Sequence, residues 1–196
     1  MIALVPVKTL ARAKSRLAGT LDPPARAQLM HDTLRRTLQA LHDIESITQV
    51  VVITRDDEVS DWARQWGAVV LHEHDDGLNE SLREARTQYA EADSLLIVPA
   101  DLGWLEAQDI RAMVALADLS PAVVIAPDRH DRGTNALLLR PPDVIDFRFG
   151  QGSAQAHAQL AQDKGITAQW YRSNSTSLDV DDPSDLALYG AAPYLL

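Results

Sequence analysis

The chain contains no cysteine, which excludes disulfides and thiolate metal sites outright. No apolar run approaches the roughly 20 residues needed to cross a bilayer. The N-terminus carries Pro6 and four cations, with no apolar segment followed by small residues such as a secretory leader has. The cytoplasm is the expected address. A cationic footprint is also missing. The net charge is −10, whereas nucleic-acid binding draws on counterion release by clustered Lys and Arg. Neither nucleic acid nor a membrane is therefore an expected partner. No G-x-G-x-x-G follows the first apolar run, and there is no Walker loop, so a Rossmann dehydrogenase and a P-loop NTPase lack support. The G-x-S-x-G elbow of the α/β-hydrolases is absent too.

What is present is a globular composition, 46% hydrophobic over 196 residues, which suits one domain with a full core. The charge is unevenly placed. Lys8, Arg12, Lys14 and Arg16 precede the first acid, Asp22, so a local positive field survives inside an acidic molecule and suits a small anionic ligand.

Apolar runs of period 2 alternate with stretches of period 3.6. Strands are expected at 2–7, 49–54, 68–73, 94–100, 122–127, 135–140 and 166–172, with a short extended piece at 177–181. A helix starts at Asp22-Pro23 with Met30, Leu34, Leu38 and Leu41 inward. Others are expected at 56–66 (closed by Gly67), 78–92, 106–118 and 153–164, with a final helical turn at 185–190. Repeated βα units imply an α/β fold, a mainly parallel mixed sheet with helices on both faces. The short connection near 128–134 implies one antiparallel strand late in the order. With no internal repeat or linker, 1–196 reads as a single domain.

Ligands of open α/β sheets bind beyond the carboxyl ends of the strands, which ranks three segments. The first strand runs into the basic loop Lys8–Leu17. Four cations there suit a triphosphate; the alternative is a solvated helical turn with Arg12 and Arg16 on its outer face. The fourth strand ends at Pro99-Ala100-Asp101. Near the C-terminus, Asp179 and Asp181 are two apart, so both face one way at about 7 Å spacing. With Asp101 they suit one Mg²⁺ or a pair about 3.5–4 Å apart, hard oxygen ligands favouring magnesium over zinc. The alternative is capping, by Asp101 of the following helix and by Asp181 or Asp182 of the turn at Pro183.

Other segments are weaker. Gly150-Gln151-Gly152-Ser153 opens a helix and can hold an anion, although Ser153 alone reads as an N-cap. Gly133-Thr134-Asn135 presents a tight glycine turn or an ordinary hairpin loop. Asn79 is an N-cap or a base-reading amide. His72 and His74 lack a convincing third zinc ligand, and Trp62 with Trp66 reads as core or interface packing.

Taken in order, Val5-Pro6-Val7-Lys8 with Arg12-Ala13-Lys14-Ser15-Arg16-Leu17, then Leu78-Asn79, Pro99-Ala100-Asp101-Leu102, Asp128 with Gly133–Leu137, Phe149-Gly150 with Ser153 and His157, and Leu178–Asp181 resemble the 2-phospho-L-lactate guanylyltransferase family. Its bacterial members act on phosphoenolpyruvate. The resemblance runs nearly end to end. It implies a glycosyltransferase-A-like nucleotidyltransferase fold, GTP and a small phosphorylated three-carbon acid as partners, and formation of a precursor of coenzyme F(420). It also implies that Asp101, Asp179 and Asp181 ligate Mg²⁺, that Thr134, Gly150 and Ser153 hold the acid, that Lys8, Arg12, Lys14 and Arg16 serve the GTP phosphates, and that Asn79 serves the guanine. Asp101, Lys14 and Lys8 are the expected catalytic groups. The sequence departs from the family at Gly103, where a second proline usually follows the aspartate, and at Ala154, where an aromatic usually follows the serine.

The residues by themselves leave rivals open: a molybdopterin or sugar nucleotidyltransferase of the same fold, a non-catalytic GTP-binding module, or an interaction protein. The acceptor stays open among phosphoenolpyruvate, 2-phospholactate and 3-phosphoglycerate. Oligomeric state is not readable, homodimers being the common case.

Overall fold

Successive residues of a strand point to opposite faces, and here both faces are apolar. Ala3 and Val5, Val50 and Val52, Leu96, Val124, and Leu138 fall in one core cluster. Their neighbours Ile2 and Leu4, Val51 and Ile53, Leu95 and Ile97, Ile125, and Leu137 fall in a second. A strand apolar on both sides needs helices on both sides, and the computed structural model of the chain, which describes residues 1–73, 77–181 and 183–191, supplies them.

The sheet comprises β1 (Ile2–Pro6), β2 (Gln49–Thr54), β3 (Val69–His72), β4 (Leu95–Ile97), β5 (Ala122–Pro127), β6 (Thr134–Arg140) and β7 (Gln169–Trp170). Its order is β3-β2-β1-β4-β6-β5-β7. Only β6 runs antiparallel among these strands, against β4 on one side and β5 on the other. Helices α1 (Pro23–His42), α2 (Asp57–Gln65) and α4 (Ala107–Leu116) cover one face through Leu34, Leu38, Val59, Ala63, Ile110 and Met113. Helices α3 (Leu78–Gln88) and α5 (Ser153–Asp163) cover the other through Leu82, Ala85, Ala154 and Ala161. Two short helices follow near the end, α6 (Asn174–Ser177) and α7 (Pro183–Ala191).

Local chemistry sets the helix ends. The Asp22 carboxylate accepts from the Ala25 N–H ahead of Pro23, and Asp56 accepts from Glu58 and Val59 to start α2. Gly67, at φ +83°, ends it. Trp62 and Trp66 pack against the same core and meet His31 edge-on, with ring centroids 5.0 and 4.9 Å away.

Four expected elements differ, among them the helix expected at 78–92, which ends at Gln88. The strand expected at 166–172 shortens to β7, because only Val124 and Ile125 of β5 offer it a partner. The extended piece expected at 177–181 joins no ladder, and Ser177 instead closes α6. The strand expected at 94–100 ends early: Val98 still donates to Leu4 O at 3.0 Å, but Pro99 has no N–H to continue. His74 and Asp182, raised above as a zinc ligand and a cap, lie outside the described residues.

The segment between β6 and α5 is fastened to α3 by ions. Arg83 Nη2 lies 2.8 Å and Arg86 Nη2 3.3 Å from Asp146. The Arg83 hydrogen bond holds the Asp146 carboxyl down at about 2, against an ordinary 3.8. A depressed carboxylate stabilises the fold above its unfolded pKa and loses that contribution as pH falls through the folded value. Asp146→Asn is therefore expected to lower the melting temperature at pH 7 by about 2–4 °C, the shift for a loss of about 1 kcal/mol from a half-exposed pair. Calorimetry of both proteins should show that gap closing as pH falls from 3.8 towards 2.

Candidate active site

Four parallel strands and one antiparallel strand bring their loops to one edge. β1, β2, β4 and β5 end there and, being reversed, β6 begins there. Beyond that edge lies a cavity of about 840 Å³. Its walls include Lys8, Arg12, Lys14 and Arg16 after β1, Asp101 after β4, Thr134 at the start of β6, Gly150 and Ser153 at the mouth of α5, and Asp179 with Asp181. Ten of the eleven residues singled out from the sequence thus share one hollow.

The aspartate pair faces inward because Val180 faces away. Val180 is fully buried with Leu17 and Leu29, and its N–H donates to Asp101 O at 3.3 Å. Period-2 alternation then turns both neighbouring carboxylates to the cavity. Carboxylate oxygens of Asp101, Asp179 and Asp181 lie within 4.8 Å of one another. Burial and the charges of Asp101 and Asp181 push the Asp179 carboxyl up to about 6. An all-oxygen set this crowded with negative charge fits a hard divalent cation. The capping alternative fails for Asp101, since α4 begins at Ala107 with Glu106 as its cap. Asp181 is itself capped: its N–H donates to Asp185 Oδ2 at 3.1 Å.

The basic loop does hold one helical turn, Ser15–Leu17, with Arg12 and Arg16 exposed, but Lys14 is buried instead of solvated with them. Leu10 N–H donates to Asp56 Oδ2 at 2.9 Å, tying the loop to the start of α2. A turn follows in which Arg12 and Ala13 both donate to Thr9 O. Lys14 then adopts the left-handed conformation at φ 52°, which costs a non-glycine residue about 1–2 kcal/mol. The turn sends the Lys14 ammonium inward, 3.3 Å from Asp101 Oδ2 and 3.5 Å from Asp181 Oδ1, with its side chain only 2% exposed. Arg16 pairs with Asp181 at 3.3 Å. Lys8 and Arg12 are exposed on the wall.

The opposite wall carries no cation, and its charged group is the Asp128 carboxylate. The Asp128 carboxylate accepts from the N–H groups of His130, Arg132 and Gly133 at 3.0, 2.8 and 2.8 Å, folding the 128–133 loop around itself. Thr134, 6% exposed, follows at the cavity. Ser153 is the first residue of α5, not its cap; Gly152 holds that place at φ 72°. Ala154 is buried in the core cluster, so the departure there alters the packing beneath the cavity and not its wall.

Asn79 is placed differently from the expectation of a base-reading amide. It is the second residue of α3 and turns away from the cavity. Its Nδ2 donates to Phe149 O at 3.0 Å, and its Oδ1 accepts from Phe149 N–H at 2.8 Å. Both ends of the amide are thus occupied in holding the loop that carries Gly150. At the β2–β3 end the wall is made by Arg55, Glu73 and Leu78 instead.

One supporting group escaped the sequence reading, and another, His157, is given no role there. Asp109, 1% exposed on α4, accepts from Tyr171 Oη, Ser173 Oγ and Ser175 Oγ, each at 2.8 Å. It anchors the segment that leads to Asp179. The hydroxyl-rich run 173–177 was the available signal, but it reads as loop. His157 is fully buried behind Thr134, with Nδ1 3.1 Å from the hydroxyl.

Comparison with known proteins identifies the family and the fold. A family model described as guanylyl transferase CofC like matches residues 1–189. A phosphoenolpyruvate guanylyltransferase of Sphaerobacter thermophilus is 43% identical over 195 residues, covering 98% of this chain and 94% of its own. A 3-phospho-D-glycerate guanylyltransferase of Colwellia psychrerythraea is 32% identical, covering 94% of this chain and 89% of its own. Among solved structures, a nucleotidyl transferase from Methanothermobacter matches with a TM-score of 0.70 at 16% identity, covering 100% of this chain and 99% of that one. That likeness shows the nucleotidyltransferase fold, and the end-to-end sequence matches show more: the chain belongs to the CofC-like guanylyl transferase family.

Proposed function

We propose that the protein transfers the guanylyl group of GTP to the phosphate of phosphoenolpyruvate, releasing pyrophosphate, with Mg²⁺ at Asp101, Asp179 and Asp181, in the route to coenzyme F(420). One observation carries this reading. Because β4 lies between β1 and β6 in the sheet, the carboxylate cluster after β4 stands between a cationic wall and a hydrogen-bonding wall without a cation. A triphosphate belongs on the first, a small acid on the second, and the reacting atoms beside the carboxylates.

In the proposed reaction an oxygen of the acceptor phosphate attacks the α-phosphorus of GTP in line. A P–O bond to the acceptor forms, the α–β bridging bond breaks, and its electron pair leaves on pyrophosphate. A phosphate monoester, with a second pKa of about 6, is already largely ionised at neutral pH, so no general base is required. Lys8, Arg12 and Arg16 neutralise triphosphate oxygens, and Lys14 holds positive charge at the junction of the two walls. Thr134, Gly150 and Ser153 bind and orient the acid. Asn79 enters only through Phe149, whose main chain it fixes. A bound magnesium ion would supply charge neutralisation and a template for the phosphate oxygens.

The decisive assay is pyrophosphate release with GTP and Mg²⁺ in the presence of phosphoenolpyruvate, 2-phospholactate or 3-phosphoglycerate, with ATP as control. Release with phosphoenolpyruvate and GTP is the expected result, abolished by EDTA and restored by magnesium. Release with 3-phosphoglycerate alone would reassign the acceptor, and GTP binding without release under any condition would reduce the protein to a nucleotide-binding module. Asp101→Asn should lower turnover by about 10²-fold or more, with the melting temperature within a few degrees of wild type. Near-normal turnover in that variant would remove Asp101 from the metal site.

A further inference from the structure

His157 sits 0% exposed on the inner face of α5, with the edge of Phe149 packed against it at a centroid distance of 4.9 Å. Two hydrogen bonds use its two ring nitrogens. The Arg148 main-chain N–H lies 2.9 Å from Nε2, and the Thr134 hydroxyl lies 3.1 Å from Nδ1. An amide N–H can only donate, so Nε2 must carry a lone pair and the ring proton must sit on Nδ1. The cation is excluded on the same ground, since it would set N–H against N–H at 2.9 Å in a buried site. Burial acts in the same direction and depresses the imidazole to about 4.

The consequence falls on Thr134. Its Oγ1 accepts from Nδ1–H and cannot also donate to that nitrogen, so the hydroxyl proton must point elsewhere. Thr134 lines the cavity, and among the described residues no acceptor for that proton is found. We infer that His157 is a positioning residue for the acceptor: held as the Nδ1–H tautomer by the Arg148 amide, it fixes the Thr134 hydroxyl as a donor to an anionic oxygen of the phosphorylated acid. This rests on the proposed placing of the acid at Thr134. A threonine without that partner can spend its proton on the ring nitrogen; with it, the proton is left for the cavity side. The arrangement guarantees a donor aimed at a carboxylate or phosphate oxygen of the substrate.

Two experiments test the inference. In the ligand-free wild type labelled with ¹⁵N-histidine, long-range ¹H–¹⁵N spectra should contain one imidazole in the Nδ1–H form, unchanged between about pH 6 and 8 and missing from His157→Phe. An Nε2–H tautomer or a cation at this site would overturn the inference without any variant having to fold. Kinetics with GTP and phosphoenolpyruvate provide the second test. Thr134→Val should raise the acceptor KM by about 10- to 100-fold, the loss expected of a hydrogen bond to a charged oxygen, while the KM for GTP stays within about twofold. His157→Phe should act in the same direction, and Thr134→Val with His157→Phe should be no worse than Thr134→Val alone. His157→Asn, which keeps a donor near the Nδ1 position, should recover most of the loss. Effects that multiply in the double variant, a parallel rise in the GTP KM, or asparagine performing no better than phenylalanine would each mark His157 as ordinary core. A wild-type enzyme that releases no pyrophosphate with any acid would instead overturn the proposed function, while the tautomer would still read out on its own.

Discussion

Lys14 places a buried ammonium between Asp101 and Asp181, and much of the carboxyl edge of the sheet is arranged around that charge. Two unit charges 4 Å apart repel by about 4 kcal/mol at an effective dielectric of about 20, and three carboxylates here have oxygens within 4.8 Å of one another. Left to itself, such a cluster would spread. Covalent and apolar constraints prevent this. Asp101 is the outlet of a strand buried on both faces, and Val180, fully buried, pins the other two from between them. Burying one valine contributes about 1.5–3 kcal/mol, a part of what opposes the repulsion. The Lys14 ammonium offsets the rest, and the left-handed backbone at Lys14 is what lets it reach inward. The upward shift of Asp179 shows where the balance is least complete.

The two walls of the cavity divide the electrostatic work. Lys8, Arg12, Lys14 and Arg16 all lie on the β1 side, whereas the wall formed by Gly133, Thr134, Gly150 and Ser153 holds no cation. Two anionic substrates must enter one hollow without exchanging places. If both walls were cationic, the more highly charged triphosphate would compete for either. A wall of hydroxyl and amide groups binds an anion through directed hydrogen bonds but adds little long-range attraction. In the proposed placement, the field would sort the substrates by charge before any contact sorts them by shape.

The sequence made the framework legible because the signals there are local. Asp22-Pro23 starts α1 at the expected residue, and β2 and β5 run over the expected spans, 49–54 and 122–127. The D-V-D alternation at 179–181 foretold two carboxylates on one side. Less legible were groups whose partners are remote in sequence: Asp109 meets Tyr171, Ser173 and Ser175 across 62 to 66 positions, and Asn79 meets Phe149 across 70. No periodicity marks a side chain whose partner is chosen by the sheet order. Lys14 shows the same limit in another form. Four cations in one loop look equivalent on paper, but a single left-handed residue turns one of them into the interior. α6 escaped for a third reason, since a four-residue helix of Asn, Ser and Thr carries no apolar stripe.

Inserting the reversed strand β6 between β4 and β5 gives the site its second wall. In a wholly parallel sheet, the strand beside β4 would present its carboxyl end at this edge and then depart into a crossover helix. A reversed strand delivers its first residues there instead, straight from a hairpin. That hairpin must be tight, and Asp128 makes it so by gathering three N–H groups. Gly133 is required by the same closeness, because a Cβ there would lie 2.8 Å from Asp128 Oδ2, an oxygen already held by the Gly133 N–H itself. Any side chain would have to break the carboxylate from the loop it organises, and Thr134 is the next residue along. The position of the acceptor-side hydroxyl is thus set by a turn gathered around the Asp128 carboxylate on one flank and by a buried imidazole on the other.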